Sequence, residues 1–224
     1  MHVGRAKKKL VRLMKIGKAL FDNSPNIGIF CISNDNVTLV PLSATVKLKQ
    51  LIQDFLGTNV VPVSLLNTSL IGLFAACNNK TIIVPQHAEK HELRVLKDHF
   101  SEVVIVESKY NTIGNLVSMN DHGTVCSPLL QGELDATPLD INGNELTGSL
   151  LFATNKAFLA HRDTSETDLK TLEKVFRVNG TTGTLNLGDA FVKASIVGNV
   201  KGVLVGARTS GPELSRLEDV FTTD

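Results

Sequence analysis

The chain has no tryptophan and a single tyrosine, Tyr110, and aromatic residues make up 5% of its 224 positions. A stacking platform for single-stranded nucleic acid needs several exposed rings, so that class is disfavoured at once. Cysteine is scarce as well. Cys31, Cys77 and Cys126 are odd in number and form no Cys-x-x-Cys pair, which suits buried thiols in a reducing cytoplasm better than a disulfide framework. No apolar run reaches membrane-spanning length, and Arg12, Lys15 and Lys18 interrupt the apolar residues near the start, against a secretory leader.

Catalytic motifs are missing too. There is no Gly-x-Ser-x-Gly, phosphate loop or dinucleotide fingerprint. Gly180-Thr-Thr-Gly-Thr-Leu-Asn-Leu-Gly188 is glycine-rich but follows a helical pattern and leads into a strand, the reverse of a phosphate cradle, and it reads as a connecting loop that needs positive φ. Of the six histidines, His87 and His91 are four apart and could share a helix face, yet no Glu or Cys completes a zinc set. His122 falls in a hairpin turn and His161 ends a strand; each suits a base in a cleft or ordinary turn polarity. No metal or cofactor is implied.

What is present is ordinary in bulk and uneven in placement. Hydrophobic residues are 42% and charged residues 20%, as in a globular domain, and the formal net charge is +1. Residues 1–18 hold Arg5, Lys7, Lys8, Lys9, Arg12, Lys15 and Lys18 with no acid before Asp22, whereas residues 14–224 carry a net of −4. The basic start, residues 1–13, is either an arm for phosphates or a solvated tail.

The strongest signal is repetition. Ser69-Leu-Ile-Gly-Leu-Phe-Ala-Ala-Cys-Asn-Asn-Lys-Thr-Ile-Ile-Val-Pro85 reads as two strands around an Asn-Asn-Lys turn, stopped by a proline that cannot donate into a ladder. A helical pattern over 87–100 and the strand-like Glu102-Val-Val-Ile-Val106 follow. The plan returns with Gly28 and Asn34, Gly114 and Asn120, Gly148 with Thr154-Asn155, and Lys193 with Asn199. Spacings between successive anchors (Gly28, Gly72, Gly114, Gly148, Lys193) are 44, 42, 34 and 45. Five units result, about 25–67, 68–111, 112–145, 146–189 and 190–224; the alternative is one irregular α/β domain whose hairpins match by chance.

Within units, the apolar residues of 46–56 predict a helix stopped at Gly57, and Asp163-Thr-Ser-Glu166 announces another by capping. The third unit is about ten residues short and has Pro138 and two glycines where its helix belongs, so the helix should shrink to a turn or vanish. The last unit ends in its helix, which leaves its third strand to residues 10–19 and closes a ring with no open edge, as suits a monomer. The anchor glycines at strand starts should gather near the axis, where missing side chains let units approach.

Five such units, together with Ile113-Gly-Asn-Leu-Val-Ser-Met-Asn-Asp121 and Thr209-Ser-Gly-Pro-Glu-Leu-Ser-Arg-Leu-Glu-Asp219, resemble the translation initiation factor 6 family, the ribosome anti-association factors, from about Met14 onward. The short carboxyl end resembles the archaeal form. The resemblance implies an α/β pentein fold, five ββαβ units in a pseudo-fivefold propeller with a polar centre, as one domain over 14–224. It further implies a non-enzymatic cytoplasmic protein that binds the large (50S) ribosomal subunit, through ribosomal proteins or rRNA, and prevents joining of the small one. A release GTPase and its maturation helper protein are the implied partners. The implied ribosome-binding residues are Gly72, Leu73, Gly114 and Asn115, with a structural cap of the strand start as the alternative role for Asn115. Residues 1–13 have no counterpart in the family. The same fold carries arginine-modifying hydrolases with a cysteine nucleophile near the carboxyl end, but residues 193–224 contain neither Cys nor His. A protein-interaction ring outside translation is the remaining reading.

Overall fold

The structure is a computed structural model that describes residues 14–222. The basic extension 1–13, and with it residues 10–13 of the expected closing strand, lies outside the described residues.

Among the described residues there are five three-stranded sheets. In each, a middle strand pairs antiparallel with the strand before it and parallel with a third. Val37–Pro41 takes Ile32–Ser33 on one side and Asn59–Val63 on the other. Thr81–Pro85 does the same with Ala76–Cys77 and Glu102–Val106. Since a parallel return needs a crossover, a helix separates middle and third strands: Val46–Leu56 in the first unit, Lys90–Lys97 in the second and Glu166–Phe176 in the fourth. The sheet of the last unit, Ile196–Gly198 with Gly202–Gly206, receives Lys15–Ala19 in parallel register, Lys15 opposite Gly202 and Ala19 opposite Gly206.

Helix ends follow local chemistry. The Thr45 hydroxyl accepts from the Leu48 N–H and the Ser165 hydroxyl from the Asp168 N–H. Gly57 ends its helix in the left-handed region at φ 59°. Glu89 and Glu92 form a reciprocal capping box, and the buried Glu92 also accepts from the N–H groups of Leu66 and Asn67 and the Ser64 hydroxyl. That carboxylate holds a turn in which Leu66 and Asn67 both have positive φ. Glu213 repeats the device, receiving the N–H groups of Leu187, Gly188 and Ser210 and the hydroxyls of Ser210 and Thr184. Burial works to raise its pKa, but these donors outweigh it and hold the carboxyl down at about 2.

The apolar cores lie between units. One joins Leu39, Val61 and Val63 of the first unit to Ile82, Leu96 and Phe100 of the second. Another joins Val197 and Leu204 of the last unit to Leu48, Ile52 and Leu56 of the first, so the ring closes through packing as well as through the shared sheet. No unit has a complete core of its own.

Three expectations need correction. The apolar runs at Ile27–Phe30, Ile71–Phe74, Ile113–Leu116 and Thr147–Leu150 are single helical turns and not strands; in the first two units only two residues of strand follow. The second helix spans Lys90–Lys97, not 87–100, so His87 is off it and meets the Asn111 amide oxygen at 2.9 Å, while His91 pairs with Glu89 at 3.2 Å. Gly180–Gly183 is a strand, parallel to Phe158–His161, and not a loop. Its first glycine is needed for close approach, because a Cβ there would overlap the Phe158 ring, and positive φ appears only later, at Asn186, Leu187 and Gly188. In the third unit the helix shrinks as expected, to the short turn Pro128–Leu130, and the third strand is cut to Thr137–Pro138.

Candidate functional site

These four turns and a fifth, the 3-10 turn Val192–Ser195 of the last unit, meet at the axis. A Cβ on Gly72 would overlap the Gly28 carbonyl oxygen, one on Gly114 the Gly72 oxygen, and one on Gly28 the Lys193 oxygen. Gly148 in turn lies against Gly114 and Asn115. Backbone therefore touches backbone from unit to unit, and only glycine permits it.

Lys193, the one anchor that is not glycine, sends its side chain across the axis. Its ammonium donates to the Gly72 oxygen at 3.1 Å and the Gly114 oxygen at 2.6 Å. Lys193 lines an axial cavity of about 50 Å³, also lined by Cys31, Cys77 and Ser118, with room for about three water molecules. Burial away from water pushes the lysine down to about 8.

The opposite end of the axis is crossed by a chain of side-chain amides, buried except for the half-buried Asn78, that links all five units. The Asn34 side chain donates to the Asn78 carbonyl at 2.9 Å, Asn78 to Asn120 at 3.2 Å, Asn120 to Thr154 at 3.0 Å and Asn199 to Asn34 at 3.1 Å. Above it the amides of Asn79 and Asn155 each bridge the carboxylates of Asp35 and Asp121, at 2.6–2.9 Å. The axis is thus plugged at both ends by hydrogen bonds that run between units.

Gly72 and Gly114 are buried at the glycine end, while Leu73 and Asn115, the residues after them, are half-buried there. The structure therefore brings all four together. The Asn115 side chain makes no hydrogen bond among the described residues, so it does not serve as a cap. The residues two before each anchor, Asn26, Leu70, Thr112, Leu146 and Phe191, complete this end; Leu146 is 37% and Phe191 41% exposed. Neither was singled out from sequence, although aligning the five units on their anchors places both in the same column.

The three thiols are buried or half-buried and unactivated. Burial raises the Cys31 and Cys77 thiols to about 12 and moves Cys126 the same way, so none is an activated thiolate. No group of three or more His, Cys, Asp or Glu positioned to hold a metal occurs among the described residues. His161 is occupied locally, its Nδ1 accepting the Asp163 N–H at 3.1 Å. No helix among the described residues is long and apolar enough to cross a membrane.

Comparison with known proteins agrees with this architecture. The model of the eIF-6 family matches residues 16–220. Translation initiation factor 6 of Sulfolobus acidocaldarius is 32% identical over 222 residues, covering 93% of this chain and all of that protein. The factor of the same name from Pyrococcus horikoshii is 32% identical over 224 residues, with 93% and 99% covered. Among solved structures, DDAH from Pseudomonas aeruginosa in complex with citrulline superposes with a TM-score of 0.50 at 11% identity, over 75% of this chain and 71% of that one. At that identity the likeness is one of fold, the five-unit pentein propeller.

Proposed function

The chain belongs to the eIF-6 family of translation initiation factors, and on that premise we propose that it binds the large ribosomal subunit on the surface that meets the small one and keeps the two apart. The observation that carries this reading is the glycine end of the axis. All five units contribute to it, backbone contacts make it rigid, and it offers Leu73, Leu146, Phe191 and the unspent amide of Asn115 to a partner. A face of this kind loses little entropy on docking and needs no reaction, so occupancy of about 800 Å² on each partner is enough to act. In this reading Gly72 and Gly114 shape the face and Leu73 and Asn115 touch the partner. The protein works in the cytoplasm as a monomeric single domain over 14–224, is not an enzyme, and is removed by a GTPase with its helper protein.

Sucrose-gradient sedimentation with separated subunits tests it. The protein should travel with the large subunit and, in excess, reduce joined ribosomes. Changing Leu73 or Phe191 to Asp should weaken that binding by about tenfold or more, as expected for a buried apolar anchor, with the fold intact by circular dichroism. Failure to co-sediment at moderate salt, or subunits that join freely while the protein is saturating, would reject the proposal.

A further inference from the structure

The shortened third unit leaves a groove. Third strands elsewhere have four or five residues, but here only Thr137 and Pro138 pair, with Val125 and Cys126. Thr124 is left without a third-strand partner, and beside it opens a cleft of about 750 Å³ toward the helix Glu166–Phe176 of the next unit. Gly123 abuts the Val175 carbonyl and forms the floor.

The walls of this cleft are cationic. Thr167, Lys170, Thr171 and Lys174 stand at i, i+3, i+4 and i+7 along the helix, one stripe facing the cleft, and Arg177 and His122 continue it. Lys170, Lys174 and Arg177 are exposed, and their side chains make no hydrogen bond or ion pair among the described residues. Asp135 is the one acid lining the cleft. Complementing the helix carboxyl terminus accounts for Lys174 and Arg177, but not for Lys170 or for the histidine on the opposite wall. The rest of the chain from residue 14 is net negative, so this concentration is local.

We propose that this groove binds the sugar–phosphate backbone of an RNA strand, with Lys170, Lys174 and Arg177 each meeting a phosphate and the Thr167 hydroxyl donating to a phosphate oxygen, the Thr171 hydroxyl being spent on the Thr167 carbonyl. Lys170 and Lys174 rise about 6 Å apart along the helix, so each can meet its own charge. An acidic peptide added to the open strand edge is the competing occupant, but an edge of one or two residues is too short for strand addition, which draws on runs of about five. No Phe, Tyr or Trp lines the groove to stack on bases, so binding is electrostatic and indifferent to sequence. The groove lies at the amide end of the axis, beside the hairpin turn that carries His122, and is separate from the docking face proposed above. That the RNA is ribosomal rests on that proposal; that the groove holds phosphates does not.

The test is fluorescence anisotropy of a labelled single-stranded RNA with the full chain, titrated over a range of salt. The triple variant Lys170→Ala, Lys174→Ala, Arg177→Ala should bind about tenfold or more weakly at low salt, and its log–log salt slope should fall by about 2, since each single-strand phosphate contact contributes about 0.7. A charge-matched control, Lys47→Ala, Lys90→Ala, Lys97→Ala, should keep the parent slope. An unchanged affinity and slope in the groove variant, an equal loss in the control, or groove-dependent binding of poly-glutamate without binding of RNA would each overturn the proposal. Large-subunit sedimentation of the same variants separates this outcome from failure of the docking face.

Discussion

A single lysine departs from the pattern of the axis. Lys193 stands where the other four units have glycine, and its charge is held among carbonyl oxygens with no carboxylate beside it in the cavity. Its pKa falls from an ordinary 10.5 to about 8, so between those values the unfolded chain keeps a proton that the folded chain has lost. Stability therefore rises with pH through this window, and below pH 8 the full penalty, about 3 kcal/mol, is present. Replacing Lys193 by Met should flatten the dependence of chemical-denaturation midpoints on pH between 8 and 10.5, which two-state unfolding curves at several pH values will show. A slope unchanged in the variant would mean that another group sets it. The sequence marked Lys193 as an anchor but not as an axial cation, because nothing local says that its side chain reaches units whose glycines lie 121 and 79 residues away.

At the scale of elements, capping chemistry and amphipathic spacing made the helices 46–56 and 166–176 legible, since both signals are local. The axial turns were not. Four apolar residues around a glycine satisfy strand and helix templates alike, and what decides between them is the approach of neighbouring units. Gly180–Gly183 was hidden for a similar reason: its composition suggests a loop, and only the Phe158 ring beneath it explains why glycine is wanted in a strand. Loss of the third helix was legible, because spacing and Pro138 both reported it, but the cationic groove it leaves was not, being assembled from two units. The anchor geometry gives a sharp expectation. Gly114→Ala forces a methyl group against the Gly72 oxygen, so it should destabilise by about 3 kcal/mol or prevent folding, whereas Gly211→Ala, which meets nothing within 4 Å, should change stability by less than about 1 kcal/mol. Thermal unfolding of the two variants side by side checks it.

The molecule as a whole is held by contacts that no unit makes alone. Cores, amide chain and glycine turns all run between neighbours, so the ring should unfold as one cooperative body and not unit by unit. Deleting residues 1–20 removes the five paired positions of Lys15–Ala19 and leaves Gly202–Gly206 an open edge. That truncation should lower the unfolding midpoint by about 10 °C or more, or yield aggregates in size-exclusion chromatography, while a full-length chain elutes as a monomer. Full stability after the deletion would mean that closure contributes nothing.

The parallel pairing of Lys15–Ala19 with Gly202–Gly206 also has a temporal side. The strand Lys15–Ala19 must wait for a partner four units further along the chain, so the nascent polypeptide stays an unclosed arc until the fifth unit has been made. A protein whose proposed task is to occupy one subunit of the translation machinery thus closes its ring only after that machinery has delivered all five units.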